Sequence, residues 1–115
     1  MSRSTVYNRI TSEESIGKIL PANKELMREF LDYLRSVDRS PNTIEQYRHD
    51  LEIFFVWNME QNENKKFIAI TKRDFVRFQS FALNDWKGSS NRIRRVKSVL
   101  SSLSNYIENI LDEDE

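Results

Sequence analysis

The chain has 115 residues, with 18 basic and 18 acidic side chains, so its formal net charge is zero. This length is enough for one domain with a modest core. Since there is no cysteine, disulfides, thiolate metal sites and a cysteine nucleophile are excluded. No apolar run approaches the roughly 18 residues of a membrane span, and residues 1–10 lack the apolar core of a signal peptide. We therefore expect a cytoplasmic protein that makes no membrane contact.

The composition favours helices. Only two glycines and two prolines are present, whereas an all-β protein needs a turn about every ten residues. Leu, Arg, Glu and Lys, which are good helix formers, are abundant. The sequence therefore predicts an all-α fold with four main helices in an orthogonal or bundle-like packing.

Residues 1–22 are predicted to form a flexible lead with one short helix, which has acidic residues in its first turn and ends at Pro21. The first main helix is expected over about residues 23–37, with Asn23 as its N-cap. Its apolar side chains recur at steps of three and four residues, which is typical of a helix with one buried face. They are Leu26, Met27, Phe30, Leu31, Leu34 and Val37.

The second main helix has the clearest start, because Ser40 is a good N-cap and Pro41 fits the first helical position. Its polar face carries Asn42, Gln46 and His49. The opposite face is apolar, and further apolar residues near the end predict that this helix is central. The apolar residues are Ile44, Tyr47, Leu51, Ile53, Phe54, Phe55, Val56 and Trp57.

After a polar loop over residues 61–66, Phe67 and Ile70 are expected to turn into the core. Thr71 with Asp74 resembles a capping box that opens a third helix over about residues 72–85. Its inward residues are Phe75, Phe78, Ala82 and Trp86, and its outward residues are Arg73, Arg77 and Ser80.

The fourth helix is expected over about residues 90–111, after the break at Gly88 and with Ser89 or Ser90 as its cap. Its apolar stripe is Ile93, Val96, Val99, Leu100, Leu103, Tyr106, Ile107 and Ile110. Residues 23–111 thus form the predicted domain, and residues 112–115 an acidic tail or the start of an interdomain linker.

The sequence offers no catalytic set. His49 is the one histidine, and no serine or carboxylate is placed by pattern to partner it. We expect a solvated surface side chain, and a histidine that contacts phosphate is the alternative. The two glycines cannot form a phosphate-binding loop. We therefore assign no catalytic residue, no metal ligand and no cofactor.

Charge is segregated along the chain although it sums to zero. Residues 87–97 contain Lys87, Arg92, Arg94, Arg95 and Lys97 without an acid, whereas residues 108–115 contain five acids without a base. Salt screens charges beyond about 10 Å, so the local basic group sets the field at its own surface. Backbone N–H groups at a helix start bind phosphate, and arginine also reads guanine. DNA binding and an ordinary solvated helix face both remain open from these residues.

A second capped helix start lies at residues 39–43 and also joins a base to small polar side chains. Both starts can meet one DNA backbone if the fold places them side by side. Lys72, Arg73 and Arg77 extend the basic surface if they lie next to it. Ordinary solubility is the alternative for each of these residues.

The order of several short segments resembles the N-terminal SAM-like, core-binding domain of phage integrases and related tyrosine recombinases. The resemblance covers residues 23–110 and is carried by FLDYL at 30–34, SPNTI at 40–44, YRHDLEIFF at 47–55, IT at 70–71, DF at 74–75, SSNRI at 89–93 and VLSSLSNYI at 99–107. It implies a non-catalytic, four-helix domain that clamps one side of a recombination-site duplex. A separate C-terminal catalytic domain would cut the DNA.

The resemblance also implies that the second and fourth helices contact double-stranded DNA. Transferred to this chain, the contacts are Ser40, Asn42, Thr43, Gln46, Lys87, Ser89, Ser90, Asn91, Arg92, Arg94 and Arg95. The implied partners are the catalytic domain of the full-length protein and other recombinase subunits on DNA. A small helical protein–protein interaction module is the alternative function.

Overall fold

The computed structural model describes residues 11–111, so the flexible lead predicted at 1–10 and the acidic tail predicted at 112–115 lie outside that part. The helices are α1 (Glu13–Gly17), α2 (Pro21–Ser36), α3 (Pro41–Gln61), α4 (Lys72–Phe81) and α5 (Ser90–Tyr106). A 3₁₀ turn (Phe67–Ala69) precedes α4, and π-helical turns extend α4 (Ala82–Trp86) and α5 (Ile107–Leu111). Residues 11–111 contain no strand, so the predicted all-α class is confirmed.

Helix α3 lies at the centre of the fold, as its wide apolar surface predicts. Every residue from 50 to 58 is buried, and α3 packs against α1, α2 and α5. Phe54 is fully buried and lies between 5.1 and 6.2 Å, by ring centroids, from five other aromatic side chains. These are Phe55, Trp57, Phe67, Phe75 and Phe78. Because α4 and the 3₁₀ turn supply three of these rings, the aromatic cluster fixes them against α3. None of the helices in the described part of the chain is both long and apolar enough for a membrane span.

The start of α2 differs from the prediction. The helix begins at Pro21, α1 ends at Gly17, and the N-cap position is Leu20, which makes no side-chain capping bond. Pro21 therefore starts a helix instead of ending one, because a proline at the first helical position lacks only an N–H that has no partner there anyway. Asn23 is not the cap. Its side chain is buried and donates to the Lys65 carbonyl at 2.8 Å, while accepting from the Phe67 N–H at 3.0 Å.

Two residues of the predicted apolar stripes lie at helix ends and are exposed. Val37 follows the last residue of α2 and is 47% exposed, because Asp38 adopts a left-handed conformation with φ 61°. The Arg39 N–H then bonds back to the Leu34 carbonyl at 3.1 Å and closes the helix end. Ile110, near the end of the chain, is 36% exposed. Both residues lie at helix ends and are exposed, so the assignment of Val37 and Ile110 to the buried stripes was wrong.

A network of polar side chains joins α2, α3, α4 and the loop after α3. It consists of Asn23, Asn58, Asn62, Lys65, Asp74 and Arg77, and we call it the closed network. Arg77 is half exposed, but its Nη1 donates to Asn62 Oδ1 at 2.6 Å and its Nη2 to the Gln61 carbonyl at 2.8 Å. The guanidinium also lies 5.6 Å from the Trp57 ring. Arg77 is therefore engaged in holding the loop, which weakens the prediction that it extends the basic surface.

The capping box that opens α4 is confirmed, with aspartate in the place of glutamate. The Asp74 N–H donates to Thr71 Oγ1 at 3.2 Å, and the Thr71 N–H donates to Asp74 Oδ2 at 2.9 Å. The Lys65 ammonium lies 3.2 Å from the same carboxylate. The backbone hydrogen bond from Thr71, and then Lys65, hold the pKa of Asp74 below its ordinary value of 3.8.

Candidate nucleic-acid interface

The start of α5 has the predicted form of a capped helix. Ser89 is the N-cap, and its Oγ accepts the Arg92 N–H at 3.1 Å. Ser90 and Asn91 occupy the first turn and are exposed. Exposed N–H groups and small polar side chains are therefore presented together at this helix end, which is the arrangement that suits a phosphate group.

The turn before α5 fixes the position of Arg92. Lys87 adopts a left-handed conformation with φ 57°, and Gly88 follows it against the Trp86 ring. A Cβ at position 88 would lie 2.7 Å from Trp86 Cζ3, so only glycine lets the backbone come this close. The Arg92 guanidinium lies 5.9 Å from the centroid of the same ring. Trp86 thus supports the turn and the first arginine of α5 at once.

Beneath the basic segment lies a buried carboxylate that was missed in the sequence. Asp50 on α3 has no exposed surface. Its Oδ1 accepts from Arg92 Nε at 3.1 Å, and its Oδ2 accepts from Arg95 Nε at 3.3 Å. A signal was present, because Asp50 lies three residues after Tyr47 and four before Phe54, on the apolar face of the central helix, and a buried aspartate needs a cationic partner.

Gln46, one turn before Asp50, adds a second contact to Arg95. In the amide orientation that satisfies both groups, its oxygen accepts from Arg95 Nε at 3.3 Å and from Nη2. The Arg92 and Arg95 side chains remain 27% and 40% exposed. We call Gln46, Asp50, Arg92 and Arg95 the Asp50 cluster. Since two guanidinium groups share one carboxylate, the cluster has a net charge of +1.

Three further bases of the segment 87–97 are exposed, and we call Lys87, Arg94 and Lys97 the outer bases. Lys97 lines the groove between α4 and α5. Arg94 donates to the Asn91 side chain at 3.5 Å, a distance at the limit of a hydrogen bond. Their exposure contrasts with the fixed arginines of the Asp50 cluster. The predicted basic site therefore has two arginines held by Asp50 and three exposed bases.

The start of α3 is also capped as predicted, since Ser40 Oγ accepts the Thr43 N–H at 3.2 Å and Asn42 is exposed. However, the fold does not place the two helix starts side by side. Arg39 at the start of α3 lines one groove with Asn105 and Asn109 at the end of the last helix, whereas Asp50 contacts the first turns of α5. The helices are antiparallel, and with a rise of about 1.5 Å per residue their starts are roughly 20 Å apart. Gln46 is the predicted α3 residue that the fold joins to the arginines.

His49 is half-buried rather than fully solvated. Its Nε2 lies 3.3 Å from Glu45 Oε1, and its Nδ1 lies 3.6 Å from Glu52 Oε1. Burial raises the pKa of Glu52, and the nearby Arg48 and His49 oppose that rise. Glu45 and Glu52 are thus paired with bases on their own helix. Across residues 11–111, no group of three or more acidic or histidine side chains is arranged to hold a metal ion.

Comparison with known proteins now fixes the family. The sequence pattern of the phage integrase N-terminal SAM-like domain matches residues 26–114. The chain belongs to this family. Over 93 residues, 81% of the chain, this phage integrase domain is 42% identical to the SPbeta prophage-derived recombinase-like protein YomM of Bacillus subtilis (strain 168). No solved structure matches it significantly.

The phage integrase domain spans 27% of the length of the YomM protein. The matched segment contains α3, α4 and α5 entirely, and it therefore includes every residue of the Asp50 cluster and the outer bases. The family assignment confirms the resemblance drawn from the order of short segments. The individual DNA contacts remain predictions.

Proposed function

We propose that this domain binds double-stranded DNA as the non-catalytic, core-binding part of a tyrosine recombinase that performs site-specific recombination. The observation that supports the proposal most directly is the segment 87–97, which has five bases and no acid. It folds into a capped helix start surrounded by exposed bases. Family membership supports the same function.

The proposed interface includes all the contacts predicted from the sequence, with different roles. Ser89, Ser90 and Asn91, together with the N–H groups of α5, bind phosphate oxygens. The outer bases add charge, and Ser40, Asn42 and Thr43 bind the backbone about six base pairs away, given roughly 20 Å between the helix starts and 3.4 Å per base pair. Gln46, Arg92 and Arg95 lie between these two ends.

In the longer recombinase, we propose that a C-terminal catalytic domain holds the opposite side of the duplex and supplies the strand-cleaving residues. The length of the YomM protein beyond the matched region leaves room for such a domain. Other recombinase subunits on the same DNA are further proposed partners. The domain itself acts by binding and contributes no catalytic group.

A salt titration of duplex binding tests the proposal. Binding of the 115-residue chain to a labelled 24-base-pair duplex should weaken steeply with salt, because each neutralised phosphate contributes a slope of about −0.9 in log K against log salt. Replacing Arg94 and Lys97 with alanine should weaken binding and reduce the steepness by about two. These residues are exposed, so the helical circular dichroism should not change.

The matched control replaces Lys24 and Lys66, two exposed bases near the closed network, with alanine. It removes the same charge and should leave the salt dependence nearly unchanged. If both double variants reduce affinity equally, net charge rather than the proposed interface governs binding. If the wild-type chain binds no duplex at low salt, the proposed function is wrong.

A protein-interaction module remains the second candidate because of one groove. Between α4 and α5, Phe75, Ile93 and Leu100 line an open apolar groove, and Val76 at its edge is 66% exposed. An apolar groove of this kind suits a partner helix. Binding through it would be insensitive to salt and would be abolished by Val76→Glu, whereas duplex binding would survive that change.

A further inference from the structure

Asp50 is buried beneath the proposed DNA interface and contacts two of its arginines, so it can affect DNA binding as well as stability. It is the one acid in contact with two of the arginines assigned to the DNA interface, as far as residues 11–111 show. We propose that Asp50 is a positioning residue that makes Arg95 a directional reader of base edges, while the outer bases provide sequence-independent attraction to phosphates. This inference rests on the proposed DNA-binding function and adds how sequence selectivity arises within it.

The contacts of Arg95 leave one edge of its guanidinium for a ligand. Asp50 accepts from Nε at 3.3 Å and from Nη2 at 3.5 Å, which is a side-on pairing. A side-on pairing uses the edge that contains Nε. The opposite edge, with one N–H on each Nη, still points away from the carboxylate, and 40% of the side chain is exposed.

That remaining edge has the chemistry that guanine requires. Guanine presents N7 and O6 as neighbouring acceptors in the major groove, and a planar guanidinium binds both with two parallel N–H groups. Such readout needs a fixed plane, because a freely rotating donor meets a phosphate as readily as a base. Asp50 and Gln46 both accept from Nε and Nη2 of Arg95, and together they restrict the plane of its guanidinium.

Within residues 11–111, the outer bases are not held by a buried carboxylate. Arg94 has the same side chain as Arg95 and lies next to it in sequence, yet it is exposed, and its hydrogen bond in that part of the chain is a long one to Asn91. The two arginines therefore differ in environment and not in chemistry. Asp50 also lowers the net charge of the cluster, which reduces attraction to any duplex without reducing a directional contact.

Asp50→Asn keeps the size of the side chain and removes the charge that holds Arg92 and Arg95. Gln46→Ala is the second variant, since it loosens Arg95 without touching the buried charge. Asp32→Asn is the matched control, because Asp32 on α2 also contacts two arginines, at 3.3 and 2.6 Å, but is 53% exposed. Each chain is titrated with two labelled duplexes at several salt concentrations. One is enriched by the wild-type chain from a random-sequence library, and the other is its scramble.

We expect Asp50→Asn to lower the ratio of affinities for the enriched and scrambled duplexes about tenfold, within the range that one bidentate base contact provides. Affinity for the scramble should stay equal or rise, which a loss of structure would not produce. Gln46→Ala should lower the ratio less, and Asp32→Asn should leave it unchanged. If Asp50→Asn does not fold, the Gln46→Ala ratio decides.

Three results would overturn the inference. The first is an unchanged ratio of affinities for the enriched and scrambled duplexes in folded Asp50→Asn, or in Gln46→Ala where Asp50→Asn does not fold. The second is an equal loss of affinity for both duplexes in Asp50→Asn. The third is a wild-type chain that enriches no sequence. In each of these cases salt-dependent binding by the wild-type chain still supports the proposed function. A wild-type chain that binds neither duplex overturns the proposed function and this inference together.

Discussion

The closed network and the Asp50 cluster contain the same kinds of side chain, but their arginines differ in what else they contact. Each has a buried aspartate near two cations: Asp74 lies near Lys65 and Arg77, and Asp50 near Arg92 and Arg95. In the closed network, Arg77 also donates hydrogen bonds to the Asn62 side chain and the Gln61 carbonyl. In the Asp50 cluster, the arginines lie next to the exposed bases of α5.

This difference separates a structural polar cluster from one that suits a ligand. Buried polar groups need partners, and the closed network finds them in loop backbone and amide side chains, so its hydrogen bonds fix the loop after α3. The Asp50 cluster binds its arginines by one edge and remains partly exposed. Substitutions in the first region should therefore change stability, and substitutions in the second should change binding.

Asn23→Ala should give the largest effect, entirely on stability. The change leaves the buried Phe67 N–H without its acceptor and removes one donor from the Lys65 carbonyl. We expect the free energy of unfolding to fall by about 2–3 kcal/mol, as is usual for an orphaned buried group. Urea unfolding measures it. Duplex affinity should be unchanged where the variant is folded; a loss there would break the separation between the two regions.

Gly88→Ala should affect both properties, because the turn links stability to the site. The new Cβ would lie 2.7 Å from Trp86, so the ring or the turn must move. We expect a loss of about 1–2 kcal/mol, as for a modest overpacking, together with weaker duplex binding because Arg92 rests over the same ring. Thermal unfolding and a duplex titration at one temperature measure the two effects. Unchanged binding would show that Trp86 does not support the interface.

Much of the fold was predictable because local rules act over a few residues. The caps at Ser40 and Thr71 and the apolar stripe of α5 up to Tyr106 all depend on neighbours three or four positions away, and the structure confirms each. Asn23 shows where this reasoning fails. An asparagine near a helix start suits a cap, but its partners lie 42 and 44 residues away, and no local pattern contains that information.

The candidate site was predictable in composition but not in arrangement. The basic segment was visible as a charge run, whereas the pairing of Asp50 with Arg92 and Arg95 joins positions 42 and 45 residues apart. The distance between the two capped starts depends on the antiparallel packing of α3 and α5, which helix periodicity does not specify. Residue types thus indicated the ligand, and tertiary packing determined which arginines are held.

Asp74→Asn should show how much the negative charge of Asp74 contributes to the stability of the closed network. The pKa of Asp74 is lowered by the Thr71 hydrogen bond and Lys65, so its ionised form stabilises the fold above the ordinary value of 3.8 and this contribution is lost as pH falls through the lowered pKa. We expect the variant to be less stable by about 1 kcal/mol at pH 7, the usual contribution of a helix cap. Urea unfolding from pH 7 to pH 2 should show that difference shrinking below about pH 4. A difference that stays constant with pH would mean that the charge of Asp74 contributes nothing.

Asp32→Ala should give the smallest effect, and it isolates what burial adds to ion pairing. Asp32 contacts Arg28 and Arg35 as Asp50 contacts its own two arginines, but 53% of its side chain is exposed to water. Exposed ion pairs contribute little, because water and salt screen them and ordering two long side chains costs entropy. The unfolding midpoint and the duplex affinity should both lie within experimental error of the wild type. A clear loss of stability would mean that an exposed aspartate holds its two arginines as firmly as a buried one does. The contrast between the arginines held by Asp50 and the exposed Arg94 would then have no physical basis.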